Sequence, residues 1–315
     1  MELDNTLQIP SECLQKQYFD AFIAVSAFES RSSFLAEKIN TATISDKIVL
    51  AYNEFSDCLY RSVNDKKFKD LDFSFFNVPS KDVSQLPHIL NRIFLKNNKK
   101  SLDILIDYSS MTKVWYNSIL SYFSELEDSY SEVNLWFCYS PSDFTKANPN
   151  VTKKVFDTNL PQNSTNKPLA LILGLGFENG RSEELARQLN AQITFAFYAD
   201  PAYDERYVHE VLRNNEALLN KMSHDKIIKY PIYDLNSINE SLTQFCINLR
   251  LSHQLVLAPI GPKPFTLMCF ILSTRYPDIK LWKVSTGGNI AVNDRKPYGE
   301  LLLYKVMFTS EEVDY

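Results

Sequence analysis

FIAVSAFESRSSFLAEKI occupies residues 22–39, and LILGLGFENGRSEELARQL occupies residues 171–189. Each is an apolar run followed by Phe-Glu, then Arg-Ser, then Leu-Ala two residues on, so one chain writes the same phrase twice. The correspondence continues in order. IVLAYNEF (48–55) is matched by ITFAFYAD (193–200), and FFNVPSKDVSQLPHILNRIF (75–94) by IIKYPIYDLNSINESLTQFC (227–246). LDILIDYSSMTKVW (102–115) is matched by HQLVLAPIGPKPFT (253–266), and YSEVNLW (130–136) by YPDIKLW (276–282). Phe28 and Phe177 are 149 residues apart, Lys113 and Lys263 are 150 apart, and Trp136 and Trp282 are 146 apart. One short match is within chance; a collinear series with a nearly constant offset marks an internal duplication.

Within each copy, short apolar runs alternate with longer amphipathic ones. The short runs read as buried strands, near 21–27, 47–52, 73–78, 102–107 and 133–139 and again near 169–175, 193–198, 227–232, 253–258 and 279–284. The longer runs read as helices at 31–40, 82–97, 113–129, 182–190, 204–221, 237–251 and 263–275. Strand-helix alternation predicts an α/β fold with a mostly parallel sheet covered on both faces. The chain is therefore read as two tandem Rossmann-like, doubly wound repeats, at 1–160 and 161–315. The stretch from Ser140 to Pro168, rich in Pro, Asn, Ser and Thr, reads as the linker, with Val155 and Phe156 in a short strand. ELLLYKVMF (300–308) reads as an extra edge strand of the second copy.

Composition sets outer limits. The 315 residues are 45% apolar, enough for two cores, and the net charge of −5 disfavours broad duplex-DNA or anionic-membrane binding. The five cysteines are scattered, without a CxxC pair, and the four histidines lack ligand spacing, so neither a disulfide framework nor a metal site is read. MELDNTLQIP carries no apolar signal core, and no apolar run approaches membrane-spanning length; the expected setting is cytoplasmic, with no membrane partner and no cofactor.

In a doubly wound sheet, ligands lie beyond the carboxyl ends of the strands where the winding reverses. If the first and fourth strands of each copy are neighbours there, the residues the copies share converge. These are Glu29 and Arg31 with Asp107, Ser109, Ser110 and Lys113 in copy one, and Gly176, Glu178 and Arg181 with Gly261 and Lys263 in copy two. Serine after arginine is also a plain helix cap, and glutamate favours a helix start for its charge alone. A lysine opening a helix instead opposes the dipole, which is tolerable where an anion is bound. All seven glycines fall in copy two, so the common folding plan does not demand them; they point to a closer approach of ligand to backbone there, or to looser loops. GLGFENG (174–180) spaces its glycines as G-x-G-x-x-x-G, which is not the dinucleotide fingerprint.

Strand, then DYSSMTK (107–113), then helix resembles the strand-four corner of the CRISPR-associated Rossmann-fold (CARF) sensor domains, and IGPK (260–263) is similar in shortened form. Related SAVED sensors fuse two such units. The resemblance implies a nucleotide or cyclic oligonucleotide held between paired units by residues 107–113, 259–263 and the first-strand corners. It also implies a role in bacterial antiviral defence. The expected function is binding of a phosphorylated nucleotide or nucleotide-like signal. Arg31, Arg181, Lys113 and Lys263 would meet phosphates, and Glu29, Glu178 and Asp107 would meet ring or ribose donors. Two alternatives stand beside it. One is a nucleotide-processing enzyme (phosphodiesterase, ring nuclease or glycosidase) with Glu178 as base or nucleophile and Arg181 stabilising charge. The other is a scaffold subunit of a multi-subunit defence complex.

Overall fold

A computed structural model describes residues 1–54, 56–94, 99–126, 130–145, 167–177, 180–282 and 293–310. The chain divides into two units, Met1–Thr145 with Val292–Tyr315, and Lys146–Ala291. The first unit opens with β1 (Glu2–Ile9) and β2 (Ala21–Ser26), a single turn of 3-10 helix at Ser30–Ser33, and α1 (Phe34–Lys38). It continues with β3 (Asp46–Tyr52), α2 (Leu59–Asp70), β4 (Ser74–Val78), α3 (Leu86–Phe94), β5 (Ser101–Asp107), α4 (Lys113–Ser124) and β6 (Glu132–Tyr139). The second unit runs β7 (Leu169–Gly174), α5 (Arg181–Leu189), β8 (Ile193–Ala199), α6 (Glu205–Asn214), α7 (Glu216–Leu219), β9 (Ile227–Tyr230), α8 (Leu235–Arg250), β10 (Gln254–Pro259), α9 (Lys263–Arg275) and β11 (Lys280–Leu281). The chain then returns to the first unit as β12 (Leu302–Thr309).

The two sheets share one plan. Sheet order is β1-β12-β6-β5-β2-β3-β4 in the first unit and β11-β10-β7-β8-β9 in the second. Numbered within each copy, both parallel cores read 3-2-1-4-5, and first and fourth strands are neighbours in each: β2 beside β5, and β7 beside β10 with Gly174 opposite Pro259. The continuous apolar runs predict this burial. Every residue of AFIAVS in β2 and of QLVLAP in β10 is buried, as a strand covered on both faces requires.

Helices cover both faces. In the first unit Leu35 and Ala36 of α1 and Phe68 of α2 pack with Phe22, Ala24, Val49 and Leu105. On the other face Trp115 and Tyr116 of α4 meet Tyr52 and Tyr108 at ring-centroid distances of 4.6 and 5.3 Å. In the second unit Leu185 and Leu189 of α5, Val211 of α6 and Leu218 of α7 pack with Leu171, Leu173 and Ala196. Opposite them, Phe245 of α8 stands edge-on to Phe195, and Phe265 of α9 stacks on Tyr230 at 5.0 Å.

Three sequence expectations are corrected. ELLLYKVMF is not an edge of the second copy. β12 lies between β6 and β1, antiparallel to both, with Leu302, Leu303, Tyr304, Val306 and Phe308 buried, so the first unit is built from both ends of the chain. The partition at 160/161 is corrected accordingly. β1 was not read as a strand because MELDNTLQIP is largely polar; a sheet edge exposes most of its side chains and asks for no apolar run. The helix expected over 204–221 breaks into α6 and α7 at Asn215, whose amide donates to Val211 O and Gly176 O, both at 2.8 Å. Val155 and Phe156 fall outside the described residues.

The outgoing and returning chains of the first unit are held side by side. Asp143 N donates to Lys296 O at 3.0 Å, Tyr298 N donates to Pro141 O at 2.9 Å, and Ser142 pairs with Pro297 in an antiparallel bridge.

Candidate functional site

The strand order puts the winding reversal between β2 and β5 and between β7 and β10, so each unit has one polar corner at its strands' carboxyl ends. The two corners are built differently.

In the first unit the corner is closed by the protein's own side chains. Arg31 is fully buried in the turn after β2. Its Nε donates to Glu29 Oε2 at 2.8 Å, its Nη1 to Ser140 O at 2.8 Å, and its Nη2 to Ser109 O at 2.9 Å; its guanidinium also lies over the Tyr139 ring at 5.5 Å. Burial opposes the charge, but Glu29 and Tyr139 more than offset it and hold the guanidinium pKa above its ordinary value. Ser110 Oγ donates to Glu29 Oε2 at 3.0 Å and meets Ser32 Oγ at 2.9 Å. Asp107 Oδ1 accepts from both the backbone and the hydroxyl of Ser109, and Ser109 Oγ accepts from Ser140 N at 2.7 Å. Tyr52 donates its phenol to Ser110 O at 2.8 Å; burial first, and the Glu29 charge second, push its pKa up. Glu29, Arg31, Asp107, Ser109 and Ser110 are thus brought together as one buried network, with Arg31 turned inward onto protein groups. Lys113 is the half-buried first residue of α4.

Residues from the far end of the chain complete this corner. Asp294 Oδ1 accepts from Ser30 N at 2.7 Å, Arg295 O accepts from Arg31 N at 3.2 Å, and Arg295 Nε pairs with Glu29 Oε1 at 3.3 Å. No local pattern in the sequence marks them, because they reach the corner only through the return of the chain along Pro141–Asp143. Tyr52 and Ser140 were missed too; each ends or follows a strand that the apolar pattern does identify.

In the second unit the corner is built on glycine. The loop after β10 has three residues (260–262) where the loop after β5 has five (108–112). The shorter path carries Gly261 N to Gly174 O at 2.7 Å, and a Cβ on Gly261 would stand 2.6 Å from Leu175 O. A Cβ on Gly176 would stand 3.1 Å from Ile260 O, and one on Gly174 would strike the Phe265 ring. These glycines thus admit neighbouring backbone and a ring. Gly180 has φ of +69° at the head of α5, a left-handed conformation that favours glycine. Arg181 is the half-buried first residue of α5 and Lys263 that of α9, and these two helices leave adjacent strands for opposite faces of the sheet. Asn214 Nδ2 donates to Phe177 O at 2.6 Å and Asn215 to Gly176 O, pinning the turn after β7. Glu178 lies outside the described residues.

Among the described residues no group of three or more His, Cys, Asp or Glu is placed to hold a metal ion, and no helix is long and apolar enough to cross a membrane. No protein-family model matches the chain, and no curated protein matches it.

Proposed function

We propose that the second unit binds a phosphorylated nucleotide or nucleotide-like signal at the carboxyl ends of β7 and β10, and that the first unit is a closed, structural counterpart of it. The observation that carries this reading is the placement of Arg181 and Lys263. Both open helices that diverge from neighbouring strands at the winding reversal, where helix N-termini and cations favour phosphate. In the first unit the equivalent arginine is consumed by Glu29, Ser109 and Ser140. The CARF-like loops make a signalling nucleotide of antiviral defence, cyclic or linear, the class to search first.

The test is mass spectrometry of small molecules released by heat from freshly purified protein, compared with Lys263→Ala of equal thermal stability. A nucleotide present in the wild type and absent from the variant supports the reading. A nucleotide retained by the variant refutes the assignment of Lys263.

A scaffold reading has one observation in its favour. Leu59, Tyr60 and Val63 are exposed together on the first turns of α2, with Leu59 73% exposed. A fixed protein partner that co-purifies with the chain and is lost in Leu59→Ser/Val63→Ser would favour that role.

A further inference from the structure

Ser32 and Ser182 occupy the same position of the repeated phrase, yet their hydroxyls have different surroundings. Ser32 Oγ donates to Ser110 Oγ at 2.9 Å, and Ser110 Oγ donates in turn to Glu29 Oε2 at 3.0 Å. The path from serine to carboxylate is complete inside the first unit. Ser182 is the second residue of α5, three before the core residue Leu185. Residues three apart share a helix face, so Ser182 stands on the core-facing stripe, at the end of α5 nearest the carboxyl ends of β7 and β10. It is fully buried, and among the described residues its Oγ has no hydrogen-bond partner. A buried hydroxyl left unmatched is unfavourable and uncommon. The shortened loop explains it: Ile260, Gly261 and Pro262 supply no hydroxyl where the first unit supplies Ser110.

We infer that Ser182 is a ligand-binding residue, and that a phosphate oxygen of the ligand takes the part Ser110 Oγ plays in the first unit, accepting from Ser182 Oγ. This rests on the nucleotide-binding reading above and adds two things to it: the residue that receives the ligand oxygen, and a stoichiometry of one ligand per chain, because the first corner is already filled by its own side chains. The hydroxyl is closed to solvent. Binding therefore requires the backbone around the hydrogen bond from Gly261 N to Gly174 O to loosen.

The experiment titrates the full chain with inorganic pyrophosphate, followed by phosphorus NMR, for wild type, Ser182→Ala and Ser32→Ala. Thermal melting and amide exchange at Gly261 are measured alongside. The expected result is one pyrophosphate per chain, weakened by about tenfold or more in Ser182→Ala, the effect of losing one hydrogen bond to a charged group. Ser182→Ala should melt no lower than wild type, since it removes a hydroxyl with no partner. Ser32→Ala should melt lower and bind unchanged. Pyrophosphate should alter exchange at Gly261 in wild type and not in Ser182→Ala. Saturable binding that Ser182→Ala leaves within about twofold overturns the role of Ser182 while the nucleotide reading stands. A lower melting temperature for Ser182→Ala reveals an internal partner and also overturns it. Two pyrophosphates per chain overturn the stoichiometry, and no saturable binding in wild type overturns both readings.

Discussion

Arg31→Ala tests the closed corner of the first unit. The substitution deletes three short charged hydrogen bonds, to Glu29 at 2.8 Å, Ser140 O at 2.8 Å and Ser109 O at 2.9 Å, from a side chain with no solvent exposure. It leaves two carbonyls without that donor and a buried carboxylate supported by Ser110 and, at 3.3 Å, by Arg295. Removing one partner of a buried ion pair costs about 3–5 kcal/mol. Arg295 keeps the loss from exceeding that range. Against a typical total of roughly 5–15 kcal/mol, this is a large fraction of the first unit's stability. Arg31→Lys restores the charge without the planar fork and should recover about half of the loss, because a single ammonium cannot span Glu29, Ser140 and Ser109 together. The assay is urea unfolding by tryptophan fluorescence in a Trp282→Phe background, which leaves Trp115 and Trp136 to report on the first unit alone. A loss below about 1 kcal/mol for Arg31→Ala, the size of an exposed pair, would refute the reasoning.

Other consequences follow from the same geometry. Gly261→Ala drives a methyl to 2.6 Å from a backbone oxygen and should cost the second unit about 1–3 kcal/mol by chemical denaturation, whereas Gly180→Ala, with open space but φ of +69°, should cost about 1 kcal/mol. Joining Thr145 to Asn293 through a short flexible linker should yield a first unit that folds by itself, as judged by circular dichroism and amide exchange, whereas stopping the chain before β12 should not. Cys138 and Cys246 should resist thiol reagents, since burial pushes the Cys246 thiol up to about 12 and raises Cys138 as well, while the half-exposed Cys13 and Cys58 react first. Asp103 accepts from Trp136 Nε1 at 2.7 Å, but burial, with Asp20 adding to it, raises its pKa. The folded state therefore binds this proton more tightly than the unfolded chain, and stability from this group grows as pH falls through the raised value toward the ordinary one. Asp103→Asn should stabilise the first unit at neutral pH and lose that advantage in acid, as thermal melts across pH will show.

The parallel core was legible because each interior strand is an unbroken apolar run such as IVLAY or LVLAP, whereas the order of strands was only supposed, first beside fourth, and comes from the assembled sheets. β12 was legible as a strand but not as a member of the first sheet. ELLLYKVMF says that it must be buried on both faces, while the choice between two sheets depends on which edge is open, a property of the assembled fold. β1 was silent because an edge strand such as ELDNTLQI needs hydrogen bonds more than apolar side chains. At the corners, the repeated Phe-Glu and Arg-Ser identified Glu29 and Arg31 as a pair with a common purpose, but not whether that purpose faced inward. Asp294 and Arg295 decide this, and they sit 264 and 266 positions from the residues they meet most directly, Ser30–Asp294 and Glu29–Arg295 being the closing contacts. The glycines were ambiguous because a small residue admits a close neighbour without saying whether that neighbour is ligand or protein. Counting the loop residues after β5 and β10 would have favoured protein.

The claim that one fold serves twice, closed in the first unit and ligand-binding in the second, is tested most directly by native mass spectrometry of the chain purified with its bound small molecules, for wild type, Lys113→Ala and Lys263→Ala. The account predicts one nucleotide-sized adduct per chain in wild type and Lys113→Ala, and none in Lys263→Ala. An adduct that survives Lys263→Ala, or one lost with Lys113→Ala instead, would contradict it.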